Sequence, residues 1–226
     1  MSVRILASLG AFVLAAGVHA AGPAVQWEAG KNYFVIDPPV PTESPDKIEV
    51  TEVFSYGCPA CNFAQPTIAK IKKGLPANAV MNYVPASFNP NEDWPMFQRA
   101  YYTAVALGIA EKSHDAMFDA VWKNKTLATM NDDGHTLKKP QPSIEEAAQW
   151  YAQFGVKPED FVGTANSFAI NTRMKRADAY IKAAGVDSTP TIVVNGKYRF
   201  TVQAAGGFDQ AEQLVHYLID QESKPK

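Results

Sequence analysis

The sequence predicts a mixed α/β fold in which a β-α-β unit and a β-β-α unit are separated by an inserted, all-helical stretch. Three observations carry this prediction. A run of β-formers, Lys47 to Ser55, leads into helical spacing from Pro59 and then into a second β-rich run, Val80 to Ala86. From Trp94 to Ala184 no strand signal appears. Strand character returns at Thr191 to Val194, turns at Asn195-Gly196 and resumes at Tyr198 to Phe200 before a final amphipathic segment.

Each element has a local reason. Residues 37–46, Asp-Pro-Pro-Val-Pro-Thr-Glu-Ser-Pro-Asp, cannot hold a regular element, so the first strand starts after them. The first helix runs from Pro59 to about Lys73, with Phe63, Ala64, Ile68 and Ile71 near helical spacing, a kink expected at Pro66 and a stop at Gly74. Four helices follow: Trp94 to Leu107, Glu111 to Trp122, Ile144 to Phe154 and Pro158 to Ala184. Ser143-Ile144-Glu145-Glu146 is a capping box, and Pro158 fits a first helical position. The polar segment Lys125 to Pro142 reads as a loop. Asn195-Gly196 favours a type I′ turn. Asp209 is expected to cap the last helix, whose Ala211, Leu214, Val215 and Leu218 form an apolar stripe.

A chain that is 46% hydrophobic and only 19% charged can bury a core, which excludes disordered and collagen-like classes. At the N-terminus Arg4 precedes an apolar run, Ile5 to Val18, too short to span a bilayer comfortably and followed by small residues. Residues 1–20 therefore read as a secretory leader cleaved near Ala20 or Ala21. Its removal takes Arg4 and no acidic side chain, so the net charge of -2 becomes -3. Such a weak charge argues against nucleic acid as a partner. Export leads to an oxidising compartment, yet the chain has only two cysteines, too few for a disulfide-stapled scaffold.

Those two, Cys58 and Cys61, bracket Pro59 and Ala60 in the stretch Phe-Ser-Tyr-Gly-Cys-Pro-Ala-Cys. Three chemistries compete for the pair. A staple over so small a loop would contribute about 2 kcal/mol, against about 4.7 kcal/mol for a 100-residue loop, and is poorly placed. A metal clip needs two further ligands, which His114, His135 or His216 would have to supply without any close histidine pair. The third is thiol exchange. Cys58 follows a strand and precedes a helix opened by Pro59, so its sulfur would sit among unpaired N–H groups that favour a thiolate. Cys61, one turn along, would face inward and resolve a mixed disulfide. Strand parity also places Glu52 on one face with Ile48, Val50 and Phe54, an acid interrupting an apolar row.

The segments "EVFSYGCPAC" and "STPTIVVNGKY", the helical insert between them and the exported context resemble the DsbA family of periplasmic thiol:disulfide oxidoreductases, of the thioredoxin superfamily. The resemblance covers nearly all of the mature chain. It implies a thioredoxin fold with an inserted all-helical domain: residues 21–87 and 185–226 would form the thioredoxin part and residues 88–184 the insert. It implies Cys58 as an exposed nucleophile and Cys61 as its buried partner. Thr189-Pro190 stands at the family's cis-proline loop, where the backbone of Thr189 would pair with a bound peptide. Glu52, six residues before Cys58, holds the place of the family's buried carboxylate and would exchange a proton with Cys61. The implied partners are unfolded or newly exported cysteine-containing polypeptides and a DsbB-like membrane quinone reductase for reoxidation. No metal or organic cofactor is implied, and the chain should be a monomer.

Two departures from the family pattern stand out. Many relatives carry histidine between the cysteines, whereas Ala60 brings neither charge nor side-chain donor, so Cys58 should be less acidic and the disulfide less oxidising than in those relatives. Relatives also often face the buried glutamate with a lysine, and Asn78 to Ser87 contains none. Phe54, Tyr56, Phe63 and Phe88 read as core. Two other functions remain to be weighed: a disulfide reductase or isomerase kept reduced by another pathway, and a chaperone-like binding module whose cysteines are structural.

Overall fold

The computed structural model describes residues 26–224; the expected leader and its cleavage point lie outside them. Five strands, β1 (Phe34–Val35), β2 (Ile48–Phe54), β3 (Ala79–Pro85), β4 (Thr191–Val194) and β5 (Tyr198–Thr201), form one sheet in the order β1-β5-β4-β2-β3. β2 is the inner strand that delivers the cysteines. It runs parallel to β3, with Glu52 opposite Tyr83, and antiparallel to β4, with Glu52 opposite Ile192. Every residue of β2 is buried, which suits a strand covered on both faces.

The other strand of that parallel pair, β3, is reached through α1 (Pro59–Gly74), which continues through Pro66 without a break. The insert comprises α2 (Trp94–Ala106), α3 (Ala110–Trp122), α4 (Ile144–Tyr151), α5 (Pro158–Ala165) and α6 (Phe168–Ala183). After the β4–β5 hairpin come the short α7 (Val202–Ala205) and α8 (Phe208–Ser223). The expected loop over 125–142 contains only one bridge, between Met130 and Leu137.

Two buried clusters occupy the interior. Beneath the sheet, Ile48, Val50 and Ile192 pack with Ala64, Ile68 and Ile71 of α1 and Leu214, Val215 and Leu218 of α8. The other joins Val53, Phe54, Tyr56 and both cysteines to Phe97, Phe118, Tyr151 and Phe161 of the insert. The strand end and the turn beyond it thus share one core with the helices.

Three local expectations need correction. The single helix over Pro158 to Ala184 is two helices, because Ser167 adopts extended backbone and its side chain accepts the Ile170 N–H, starting a new helix. Asp209 is not a cap: Gly207, at φ 130°, occupies that place, and Asp209 lies in the first turn, where its charge still complements the dipole. The two-residue β1 went unforeseen, being too short to give a periodic signal. The capping box at Ser143 and Glu146 and proline opening α5 are both present.

Candidate active site

The turn from β2 into α1 is built by its own backbone. The Ser55 carbonyl accepts the Cys58 N–H at 3.1 Å, and the Ser55 hydroxyl accepts the Gly57 N–H at 3.2 Å. Cys58 is the N-cap of α1, with Pro59 opening the helix. Its sulfur accepts the Cys61 backbone N–H at 3.3 Å, the role a serine or aspartate side chain usually plays.

The two thiols differ sharply in environment. Cys61 is fully buried, and burial, followed by its bond to Cys58, pushes its thiol well above the ordinary range. Cys58 is brought down to about 6 from 9.0. The leading cause is the hydrogen bond from the Cys61 thiol; burial opposes it, and the Thr189 hydroxyl and the backbone N–H groups of Cys61 and Ala60 assist. One proton shared between two sulfurs therefore settles on the inner one. When protonated, the Cys58 thiol donates to the Thr189 carbonyl at 3.4 Å. The Thr189-Pro190 bond is cis.

Exposure corrects one implication of the family resemblance. Cys58 keeps only 5% of its surface, against 0% for Cys61. The turn is tucked against the Thr189-Pro190 loop and against Trp94, whose indole would lie 2.8 Å from a Cβ at position 57; only glycine fits there. Phe63 and Phe88, read as core, are 71% and 45% exposed, whereas Phe54 and Tyr56 are buried. Phe88 lies with its ring 5.1 Å from Trp94.

Glu52 is completely buried, and neither carboxyl oxygen has a hydrogen-bond partner. Burial, then the charges of Cys58 and Asp115, raises it from 4.5 to about 8, so at neutral pH it is chiefly a neutral acid. Glu49, on the other face of the same strand, is the instructive contrast. Its carboxylate accepts from the Glu43 and Ser44 N–H groups, the Thr51 hydroxyl and the Asn82 amide. One buried acid is fully satisfied and ties a loop to the sheet; the other is left without partners beside the sulfurs. With no lysine opposite, Glu52 meets its burial by holding a proton.

The histidines do not gather at the cysteines. His114 lies in the core with Nδ1 2.9 Å from the Tyr56 hydroxyl, and burial lowers it to about 3; the His216 ring lies beside Gly74; His135 is exposed in the 125–142 loop. Among the described residues no group of three or more His, Cys, Asp or Glu is placed to hold a metal ion. Sequence reasoning did not single out Trp94 or Trp122, both of which touch the turn. An indole has no motif, and its reach into a turn is a property of helix placement.

Sheet order, strand-to-helix cysteine pair and inserted helices define a thiol oxidoreductase built on the thioredoxin fold. A thioredoxin family model matches residues 43–211. The thiol:disulfide interchange protein DsbA of Pseudomonas aeruginosa is 38% identical over 203 residues, 89% of each chain, and that of Azotobacter vinelandii is 34% identical over 218 residues, covering 96% of this chain and 94% of its own. The crystal structure of the Pseudomonas aeruginosa DsbA superposes with a TM-score of 0.74 over 87% of this chain and 94% of its own at 38% identity, and that of the Xylella fastidiosa oxidoreductase DsbA with 0.74 over 84% and 94% at 32% identity. The chain belongs to the DsbA family of thiol:disulfide interchange proteins. It is a disulfide-introducing thiol:disulfide oxidoreductase with a helical insertion in its thioredoxin fold, and its partners are cysteine-containing proteins.

Proposed function

We propose that this oxidoreductase works in the periplasm through Cys58 and Cys61, with Glu52 and the Thr189-Pro190 loop serving the exchange. A substrate thiolate attacks Cys58 Sγ, the Cys58–Cys61 bond breaks, and its electron pair leaves on Cys61. Glu52, neutral at pH 7, gives its proton to that buried thiolate and is reprotonated from solvent. A second substrate thiolate then attacks the substrate sulfur of the mixed disulfide and Cys58 departs as a thiolate. The substrate is oxidised and the protein is left as a dithiol. Reoxidation reverses the proton step: Glu52 first returns its proton to solvent and then takes the Cys61 proton as electrons pass to a DsbB-like membrane quinone reductase. Sulfur exchange of this kind requires no metal or organic cofactor.

The observation that carries this reading is the N-cap position of Cys58 Sγ, 3.3 Å from the Cys61 N–H, with a protonated thiol behind it. A good leaving sulfur at the surface side and a poor one within favours release of substrate over retention of the mixed disulfide. The Thr189 backbone carbonyl beside Cys58 offers an edge for an extended peptide. The protein acts as a monomer whose leader, residues 1–20, is removed on export. Residues 21–87 and 185–226 form one functional unit and residues 88–184 the other. Among the described residues no helix is long and apolar enough to cross a membrane.

Equilibration with glutathione buffers, followed by titration of the thiol fraction, tests the direction of electron flow. An oxidant releases its disulfide readily and stays reduced across oxidising mixtures; a pair that remains disulfide in reducing mixtures would indicate a reductase. Cys58→Ser should abolish oxidation of a reduced, unfolded substrate. Undiminished oxidation by that variant would support a binding module with structural cysteines.

A further inference from the structure

The turn that presents Cys58 is held from outside the thioredoxin fold. The Trp122 indole N–H, from the last residue of α3, donates to the Tyr56 carbonyl at 2.8 Å, shorter than either hydrogen bond the turn makes to itself. His114, Phe118 and Trp122 recur every fourth residue of α3, so one ridge of that helix lies along Tyr56. His114 meets its hydroxyl at 2.9 Å, Phe118 its ring at 5.0 Å between centroids, and Trp122 its carbonyl. Trp94 closes on Gly57 from α2.

We propose that Trp122 is a positioning residue for Cys58: by fixing the Tyr56–Gly57 peptide it holds the sulfur against the N-terminus of α1. This rests on the reading of Cys58 as the nucleophile. The peptide between the two central residues of a β-turn is the plane that rotates most easily, by opposed changes at the two neighbouring torsions, and a glycine on one side removes the steric resistance. Ser55 anchors only the N–H side of that plane. The carbonyl side is anchored by Trp122, and without it the plane is free to tilt. The contacts of Cys58 Sγ, 3.3 Å to the Cys61 N–H and 3.4 Å to the Thr189 carbonyl, depend on alignment, so a tilt or displacement of Cys58 weakens both. Cys61 and Glu52 are the titratable groups acting on Cys58 or acted on by it. The indole is neutral, so Trp122 acts through the backbone and not by charge. Ala60 supplies no side-chain donor, which leaves the sulfur more dependent on turn geometry than a histidine-bearing pair would be.

The test compares the native chain, Trp122→Phe, which keeps a ring without the donor, and Trp122→Gln, which restores a side-chain N–H. The pH dependence of Cys58 alkylation and the glutathione equilibrium are read for each. Trp122→Phe should raise the ionisation pH of Cys58 and move the equilibrium about fivefold toward the disulfide, the weight of one ordinary hydrogen bond. Trp122→Gln should move both back toward native. If Trp122→Phe ionises and equilibrates as the native chain does, whatever its stability, the inference is overturned while the site reading stands. If the native Cys58 itself ionises as an ordinary thiol, the site reading fails and the inference with it. Should Trp122→Phe not fold, ¹⁵N spectra of the native chain decide: a slowly exchanging Trp122 indole N–H whose shift differs between the two redox forms supports the inference, and a freely exchanging or redox-insensitive one overturns it.

Discussion

Cys58 and Cys61 are chemically identical and lie one helical turn apart, yet the structure separates their acidities because one caps a helix and the other lies beneath it. The N-cap position was legible from strand, cysteine and proline in succession. The leading influence on Cys58 was not: it is the Cys61 thiol itself, whose reluctance to ionise depends on burial that no spacing reveals. Residue 60 offers a direct test. Ala60→His places a potential donor and positive charge beside the thiolate, so Cys58 should become more acidic by about one pH unit and the glutathione equilibrium should shift about tenfold toward the dithiol. Glu52 makes a prediction of opposite kind. Its carboxyl binds a proton more tightly folded than unfolded, so between 4.5 and about 8 the native state holds more protons and stability falls as pH rises through that window. Glu52→Gln removes this loss. Relative to the native dithiol form, the variant should gain about 1.4 kcal/mol per pH unit in that window by urea denaturation. It should also slow substrate oxidation at neutral pH, because Cys61 then leaves without its proton donor. Strand parity marked Glu52 as anomalous; its lack of any hydrogen-bond partner, against the four that satisfy Glu49, required coordinates.

Elements with strong local signals form where the sequence places them, and the exceptions share a cause. The hairpin turn is fixed by two residues with positive φ, Asn195 at 52° and Gly196 at 65°, as a type I′ turn requires. Gly196 also meets the loop before β2: its carbonyl accepts the Val40 N–H, and a Cβ there would lie 2.0 Å from the Val40 oxygen. Gly196→Ala should therefore destabilise the chain by more than about 2 kcal/mol in chemical denaturation, above the left-handed backbone penalty alone. The break between α5 and α6 was hidden because Asn166-Ser167 interrupts apolar spacing only briefly, and a serine reads equally as an exposed helical residue. Its side chain decides the matter by capping Ile170. The start of α8 was misplaced by two residues for a related reason: Gly206 and Gly207 set the entry through positive φ, and Asp209 only adds charge.

Across the molecule, the sheet and the insert are joined at the redox turn. Phe54 and Tyr56, buried at the end of β2, pack against Phe97 and Phe118 of the insert, and Gln98 links the Pro85 carbonyl to Asp178 of α6. The order of strands and helices was readable from the sequence, but this shared core was not, because nothing in local periodicity tells which aromatic residues meet across an insertion. A shared core predicts one cooperative transition: far-ultraviolet dichroism and tryptophan fluorescence, three of whose four reporters lie in the insert with Trp94 and Trp122 on the turn, should give coincident urea curves. Separate midpoints would mean the insert folds on its own. The central claim, that the helix start and the inner thiol hold Cys58 as an anion, is tested most directly by following alkylation of that residue against pH in the native dithiol protein. The rate should rise with a midpoint near 6, while Cys61 stays unreactive throughout; a midpoint near the ordinary value of 9.0, or equal reactivity of the two cysteines, would contradict it.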